Sequence, residues 1–498
     1  MSPRPGPNRD VAVVDVGSNS VRLVLYRLEG RAIWAVFNEK VLAGLGRDLP
    51  RTGRLSREGV VAALGALRRF QTVLKGSPPD EIFATATAAV REAADGRDFI
   101  DRVRREIGLD IRILSGPDEA RLSALGVLAG QADASGVAGD LGGSSLELIR
   151  LDDGAPHAGV TLPLGPFALG APKDLDHEAV RKACAAALAP VAADFRCREF
   201  HAVGGAWRNI ALLHMSMSRY PLRIVHQYEM YAREAYEAAH FIAQQSRHSL
   251  ARIEGLSKKR LETLPYSAVV LEALIEHLQI ERIVISAFGL REGLIFEAMA
   301  PEIAAIDPLI GSCAAMGARY GVGEELGAAL DAWLAPMWRG LDPVFKGRDA
   351  IMTRAACELS DIGARLHPDH RAELAFNQVL RAPIPGQTHA ERAFLAVATH
   401  ARYTSREDPE VQDAVARLLS PERMRRARAL GAAMRLGADL AARRPALLPK
   451  SSLSAAKGAV VLTVETAAAD LLLGEQTTKR LETLGKALEM ETKIRTGR

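Results

Sequence analysis

Cysteine is scarce. Four residues, Cys184, Cys197, Cys313 and Cys357, are scattered over 498 positions, with no C-x-x-C pair. That argues against a disulfide scaffold and a structural zinc site, and predicts reduced, buried thiols in a reducing, cytoplasmic compartment. Long apolar runs are also missing. No window approaches about 18 uninterrupted apolar residues, so no membrane span is expected. The opening "MSPRPGPNRD" lacks the apolar stretch of a secretory signal, and none is expected. Charge of one sign is nearly absent: the net value is +4. So mild a balance does not call for nucleic acid, but it allows local basic patches facing an anionic substrate. What remains is ordinary: 48% hydrophobic and 25% charged residues. The length suits about three domains with ample core.

Periodicity predicts alternating strands and helices over residues 11–305, which argues for α/β layers. A hairpin is expected over 11–26, a helix over 60–74, and a strand running into a helix over 81–93. "DIRILSG" reads as a strand. "PDEARLSALGVLAG" opens as a helix, with Pro117 in its first turn and acids near its N-terminus. Further on, helices are expected over 177–193, 227–245 and 265–278, with strands at "EFHAVGG" and "RIVISAFG". From about residue 306 the chain becomes Ala-, Leu- and Arg-rich. A mostly helical region is expected there, with one strand at 458–465 and a last helix over 475–495. The basic stretch 421–445 reads as a solvated helix face, with a polyanion or partner surface as the alternative.

One short stretch recurs. "VAVVDVGSNS" ends a β-branched run in Asp15, then passes through Gly17, Ser18, Asn19 and Ser20 into a second strand. Alone it is a plain hairpin. In "GVAGDLGGSSLELIRL", however, Asp140, Gly142, Gly143, Ser144 and Ser145 fall on the same positions. Two matching turns a domain-length apart suggest a duplicated unit. Such turns aim backbone N–H groups and hydroxyls in one direction, which makes a nest for an anion. Two of them could hold consecutive phosphates across a cleft. Asp15 and Asp140 at the strand ends suit magnesium, a cation that bridges protein carboxylates to phosphate. The copies differ two residues after the turn. Arg22 is placed to meet an anion, and Glu147 a metal or water, each on the same strand face as its turn's last serine. In "LSGPDEARL", Glu119 and its rival Asp118 sit in a first helical turn. Either compensates the helix dipole or, near phosphate, serves as general base.

Read in order, "DVGSNSVRL", "ATATAAVREA", "LSGPDEARL", "DLGGSSLEL", "AVGGAWRNIA" and "ISAFGLREGL" resemble the exopolyphosphatase / guanosine pentaphosphate phosphatase (Ppx/GppA) family of the actin-like ATPase superfamily. The series covers roughly residues 11–300 and is specific as a set. The resemblance implies two ribonuclease-H-like lobes, residues 1–132 and 133–305, with the active site between them, followed by a helical region, 306–498. It implies an exopolyphosphatase releasing terminal orthophosphate from inorganic polyphosphate, with Glu119 as catalytic base. It also implies phosphate-contacting Arg91 and Arg291, and Gly204 and Gly205 lining the same cleft. Trp207 beside them is expected to pack in the core. Ser144 stands where the family has glycine, and its β-carbon is expected to tighten that loop. A homodimer is the family expectation. Magnesium is the expected cofactor, with manganese and a monovalent cation such as potassium left open.

The longer members of that family carry a His-Asp metal signature, where this chain has Ser360 and Asp361. The region is therefore expected to be a degenerate HD-like domain, with Asp361 structural and His367 and His370 in a turn. Two other functions stay open: a guanosine pentaphosphate 5′-phosphohydrolase, and a non-catalytic sensor of polyphosphate or guanosine tetraphosphate. Retention of Glu119 and both turns speaks against the sensor.

Overall fold

The computed structural model describes residues 8–253, 256, 260–321 and 324–497. The opening Met1–Pro7, read above as no secretory signal, lies outside them. The chain divides into two compact units. One holds the residues up to Glu29 together with Ile33–Ala305; the other holds Gly30–Ala32 and the chain from Ile306.

The first unit contains two sheets. Strands β1 (Arg9–Val16), β2 (Val21–Glu29), β3 (Ala32–Val41), β4 (Glu81–Ala86) and β5 (Arg112–Ile113) lie in the order β3-β2-β1-β4-β5. β1 runs antiparallel to β2 and parallel to β4, and β4 is parallel to β5. The second sheet holds β6 (Gly136–Leu141), β7 (Leu146–Asp152), β8 (Ala155–Leu162), β9 (Glu199–Val203), β10 (Tyr228–Tyr231) and β11 (Arg282–Ser286). Its order is β10-β11-β9-β6-β7-β8. Without β10, and read from the far end, this is the first sheet again, with the same strand senses. The duplication expected from two ten-residue stretches is thus a duplication of whole ribonuclease-H-like, actin-like lobes.

β1 reads as an unbroken apolar run because it is central and covered on both faces. Ala12, Val14 and Val16 pack with the helices Arg57–Gly76 and Gly96–Ile107, while Val11 and Val13 pack with Leu122, Leu290 and Leu294. The helix Gly116–Gly130 belongs to both lobes. Leu122 faces the first sheet, whereas Ala120, Ala124 and Val127 pack on Ala138, Ile149 and Val203 of the second. Against it lies the helix Leu290–Glu297. A β-carbon at Gly126 would overlap the Gly289 carbonyl, and one at Gly293 the Leu122 carbonyl. Small residues let these backbones touch. Trp207 is fully buried, edge-to-face with Phe200 at 5.6 Å, and its Nε1 donates to the Ser267 carbonyl.

Several expectations need correction. β3, β8 and the helices Gly96–Ile107 and Gly205–Met217 were not foreseen. "DIRILSG" gives only the two-residue β5. The stretch 227–245 begins as β10, whose alternating Tyr-Glu-Met-Tyr pairs antiparallel with β11, and turns helical only at Ala232. The last helix stops at Leu488, where Glu489 adopts φ 56°, and β14 (Glu491–Gly497) follows.

In the second unit β14 completes a small sheet with β12 (Ser451–Ala456) and β13 (Ala459–Glu465). The rest is largely helical. The helix Pro421–Leu440 is not the solvated basic helix expected. Four of its five arginines crowd the first two turns, while Ala427 and nearly every residue from Ala429 to Leu440 are buried. The carboxylate of Asp361 is held by Arg402 at 3.0 Å and Arg443 at 3.5 Å. His367 and His370 are exposed in a turn. Among the described residues no helix is long and apolar enough to cross a membrane.

Candidate active site

The two matched turns have the same geometry. Gly17 N donates to the Ser20 carbonyl at 3.0 Å, and Gly142 N to the Ser145 carbonyl at 2.9 Å. Asp15 lies directly opposite Arg22 in one hairpin, and Asp140 opposite Glu147 in the other. Each turn is braced by the loop after its lobe's third strand. Gly44 N and Gly46 N donate to the Asn19 and Ser18 carbonyls; Gly165 N and Phe167 N donate to those of Ser144 and Gly143. The turns also meet: a β-carbon at Gly143 would lie 3.0 Å from that of Ser18.

Beside them is a cleft of about 410 Å³. Glu119 reaches it from the first turns of the Gly116–Gly130 helix. Its rival Asp118 does not: partly exposed, it accepts from Ser115 Oγ, the residue that caps the helix, at 2.7 Å. Burial pushes the Glu119 carboxyl up to about 7, against the pull of Arg91, with Asp140 and Asp15 adding repulsion. Arg91 stands behind Glu119 rather than in the cleft lining. Its guanidinium donates to Glu119 at 2.8 Å and to the Leu114 carbonyl at 3.0 Å.

Asp15, Asp140 and Glu147 also line the cleft. Burial raises the Asp140 carboxyl above its ordinary range, although Ser123 Oγ donates to it at 2.6 Å. Burial also raises Glu147, with repulsion from Glu119 next. One Glu147 oxygen, Oε1, is buried and has no partner. Asp15 accepts from Arg291 at 3.0 Å. No three acids, histidines or cysteines among the described residues form a ready-made metal cage. Magnesium, which usually takes one or two carboxylates and completes its shell with water and phosphate, nevertheless fits the unpartnered Glu147 oxygen beside Asp140.

The same cleft is rich in cations. Arg22, Lys40, Arg208, Arg260 and Arg291 line it. Burial, then repulsion from Arg260, Arg22, Arg291 and Arg208, brings the Lys40 ammonium down to about 7. Burial and the same crowding lower Arg22 and Arg208 to about 10. The Arg291 cation is raised: burial works against it, but Glu292, Tyr26 and Asp15 outweigh that. Crowded cations of this kind await an anion.

Of the residues read as site candidates, Gly17, Ser18, Asn19, Ser20, Arg22, Gly142, Gly143, Ser145, Gly204, Gly205 and Arg291 line the cleft with the four acids. Arg91 and Ser144 do not. The Ser144 side chain is buried toward Gly46, with its hydroxyl unpartnered. Gly204 holds φ 117°, and a β-carbon at Gly205 would overlap the Arg260 guanidinium. The positive φ at Gly204 favours glycine, whereas the Arg260 guanidinium beside Gly205 would have to move to admit a side chain. Sequence reasoning missed Lys40, Arg208 and Arg260. Lys40 lies near the end of the unforeseen strand β3, and Arg260 lies in a stretch with no motif. Arg208 was visible in "AVGGAWRN", in the first turn of a helix not foreseen.

The fold is that of the actin-like ATPases. Residues 24–302 match the Ppx/GppA phosphatase family, and residues 346–493 match "Exopolyphosphatase, C-terminal". The chain belongs to the Ppx/GppA phosphatase family. It is 27% identical over 305 residues to Exopolyphosphatase 1 of Mycobacterium bovis, covering 59% of this chain and 89% of that one. An exopolyphosphatase from Cytophaga hutchinsonii superimposes with a TM-score of 0.54 at 20% identity, over 58% of this chain and 97% of that one. The Aquifex aeolicus family member gives 0.51 at 21% identity, over 59% and 100%.

Proposed function

We propose that this chain is an exopolyphosphatase, hydrolysing the terminal phosphoanhydride of inorganic polyphosphate. The observation that carries this reading is that Glu119, raised to about 7, lines one cleft together with five cations. Backbone N–H groups of the two turns, with Ser18, Ser20 and Ser145, bind the terminal phosphoryl oxygens. Arg22, Lys40, Arg208 and Arg260 hold the trailing phosphates. Glu119, kept in place by Arg91, takes a proton from water as the water oxygen bonds to phosphorus. The bridging P–O bond breaks, and the shortened chain leaves as a phosphate anion. Positioning and charge neutralisation supply most of the rate in such a transfer. A divalent cation, magnesium with manganese as substitute, would be held by Asp140 and Glu147 and would supply further neutralisation of phosphate charge.

The test is phosphate release with magnesium from long-chain polyphosphate and from guanosine pentaphosphate, at equal concentrations of terminal phosphate. Faster release from polyphosphate is expected. Faster release from the nucleotide would overturn the substrate, and tight binding without release would overturn the reaction.

A further inference from the structure

One face of the first hairpin carries polar side chains into an apolar layer. In the pairing of β1 with β2, Asp15 lies opposite Arg22 and Val11 opposite Tyr26. Alternation along each strand puts Asp15, Arg22 and Tyr26 on the same face. Asp15 and Arg22 line the cleft; Tyr26 does not. It is 3% exposed and packs in the layer of Val11, Val13, Val24, Leu290 and Leu294.

Tyr26 meets the first turn of the helix Leu290–Glu297, where two opposite charges stand side by side. Its hydroxyl donates to Glu292 Oε1 at 2.6 Å, across 266 positions of sequence. Glu292 Oε2 accepts from Gly289 N at 3.0 Å, closing the start of the helix. Arg291 donates to Asp15 at 3.0 Å, and the Tyr26 oxygen is a further acceptor for it. Burial, then the charge of Glu292, raises the Tyr26 phenol well above its ordinary range, so it serves as a neutral donor.

Stability alone does not ask for this arrangement. Glu292 is buried, and a buried acid and cation are often no better for a fold than apolar residues of the same size. What the arrangement achieves is a fixed direction. Arg291 lines the cleft. Asp15 restrains its guanidinium from one strand, and Tyr26 with Glu292 from the next. A long cation so held has lost its rotamer freedom before substrate arrives, and binding need not supply that cost.

We propose that Tyr26 is a positioning residue for phosphate binding: by holding Glu292 and the Arg291 guanidinium, it aims Arg291 at a phosphoryl oxygen of the substrate. For its substrate this rests on the exopolyphosphatase reading.

The test is a double-mutant cycle on calorimetric affinity for inorganic tripolyphosphate, with the full chain and no divalent metal. Tyr26→Phe keeps the buried ring and removes only the hydroxyl. It should weaken binding by about tenfold, the scale of one charge-assisted hydrogen bond. Arg291→Lys keeps the charge but loses the planar fork, and should weaken binding at least as much. The Tyr26→Phe/Arg291→Lys double variant should stay within about twofold of Arg291→Lys, because Tyr26 then has no guanidinium to aim. With magnesium and long-chain polyphosphate, kcat/KM should show the same coupling. A merely structural Tyr26 would lower the thermal midpoint and leave affinity alone, or cost the same factor in both backgrounds; either result overturns the proposal. Should Tyr26→Phe fold poorly, Glu292→Gln, whose one carbonyl oxygen cannot accept from both Tyr26 and Gly289, should give the same loss and the same coupling to Arg291→Lys. Coupling in affinity without phosphate release would support the positioning role while overturning the hydrolytic reading.

Discussion

The Arg91 guanidinium donates to the Glu119 carboxylate at 2.8 Å while anchored on the Leu114 carbonyl at 3.0 Å. It is thus a positioning residue for the candidate base. Arg91→Ala should lower kcat more than it raises KM. It should also move the acid limb of kcat/KM to higher pH, since Arg91 draws the Glu119 carboxyl downward. A pH–rate profile checks this, and a purely structural role would leave the limb in place.

Glu119→Gln keeps the shape and hydrogen-bonding reach of the side chain but cannot take a proton. Phosphate release should fall by about 10²–10⁴-fold, the usual worth of a general base. Polyphosphate affinity, measured by calorimetry, should be nearly unchanged. Full activity would remove Glu119 from its role.

Stability of the metal-free protein should depend on pH in a definite sense. The Glu119 carboxyl titrates at an ordinary 4.5 when unfolded and at about 7 in the fold. The folded state therefore binds this proton more tightly, and the stability so gained is present below about 4.5 and lost as pH rises through about 7. Asp140 and Glu147 are raised in the same direction. Thermal midpoints should fall across that window, and Glu119→Gln should flatten the slope.

Lys40 sits among four arginines with burial and repulsion against its charge. Lys40→Met should raise the thermal midpoint of the ligand-free protein and, at the same time, raise KM for polyphosphate. The trade follows from a site that keeps unfavourable charge for the sake of its ligand. A midpoint that falls would show that Lys40 is compensated in the free protein.

Gly293 approaches the Leu122 backbone so closely that a β-carbon would overlap it. Gly293→Ala should destabilise by about 1–3 kcal/mol or more in chemical denaturation, as overpacking does. Activity should suffer as well, because the two helices forced apart carry Glu119 and Arg291.

The local parts of this protein were legible in one dimension. The matched Asp-x-Gly turns, the first-turn acids after "LSG" and the adjacent Gly204 and Gly205 are short-range patterns, and each sits where hairpin and helix-start rules place it. The turns even carried the duplication, since a hairpin with the same small residues rebuilds the same backbone. Three things needed the tertiary structure. Asp118 and Glu119 are neighbours in sequence, and only the packing of their helix between two sheets leaves one partly exposed and buries the other. Lys40, Arg208 and Arg260 come from a strand end, a helix start and a loop far apart in the chain. No spacing links them, because cation crowding is a property of the closed cleft. The segment 421–445 looked basic by composition, yet four of its seven arginines gather in the first turns while small and aliphatic residues pack most of the rest. Composition counts charges; only packing decides which of them find a partner and which are left facing a cavity.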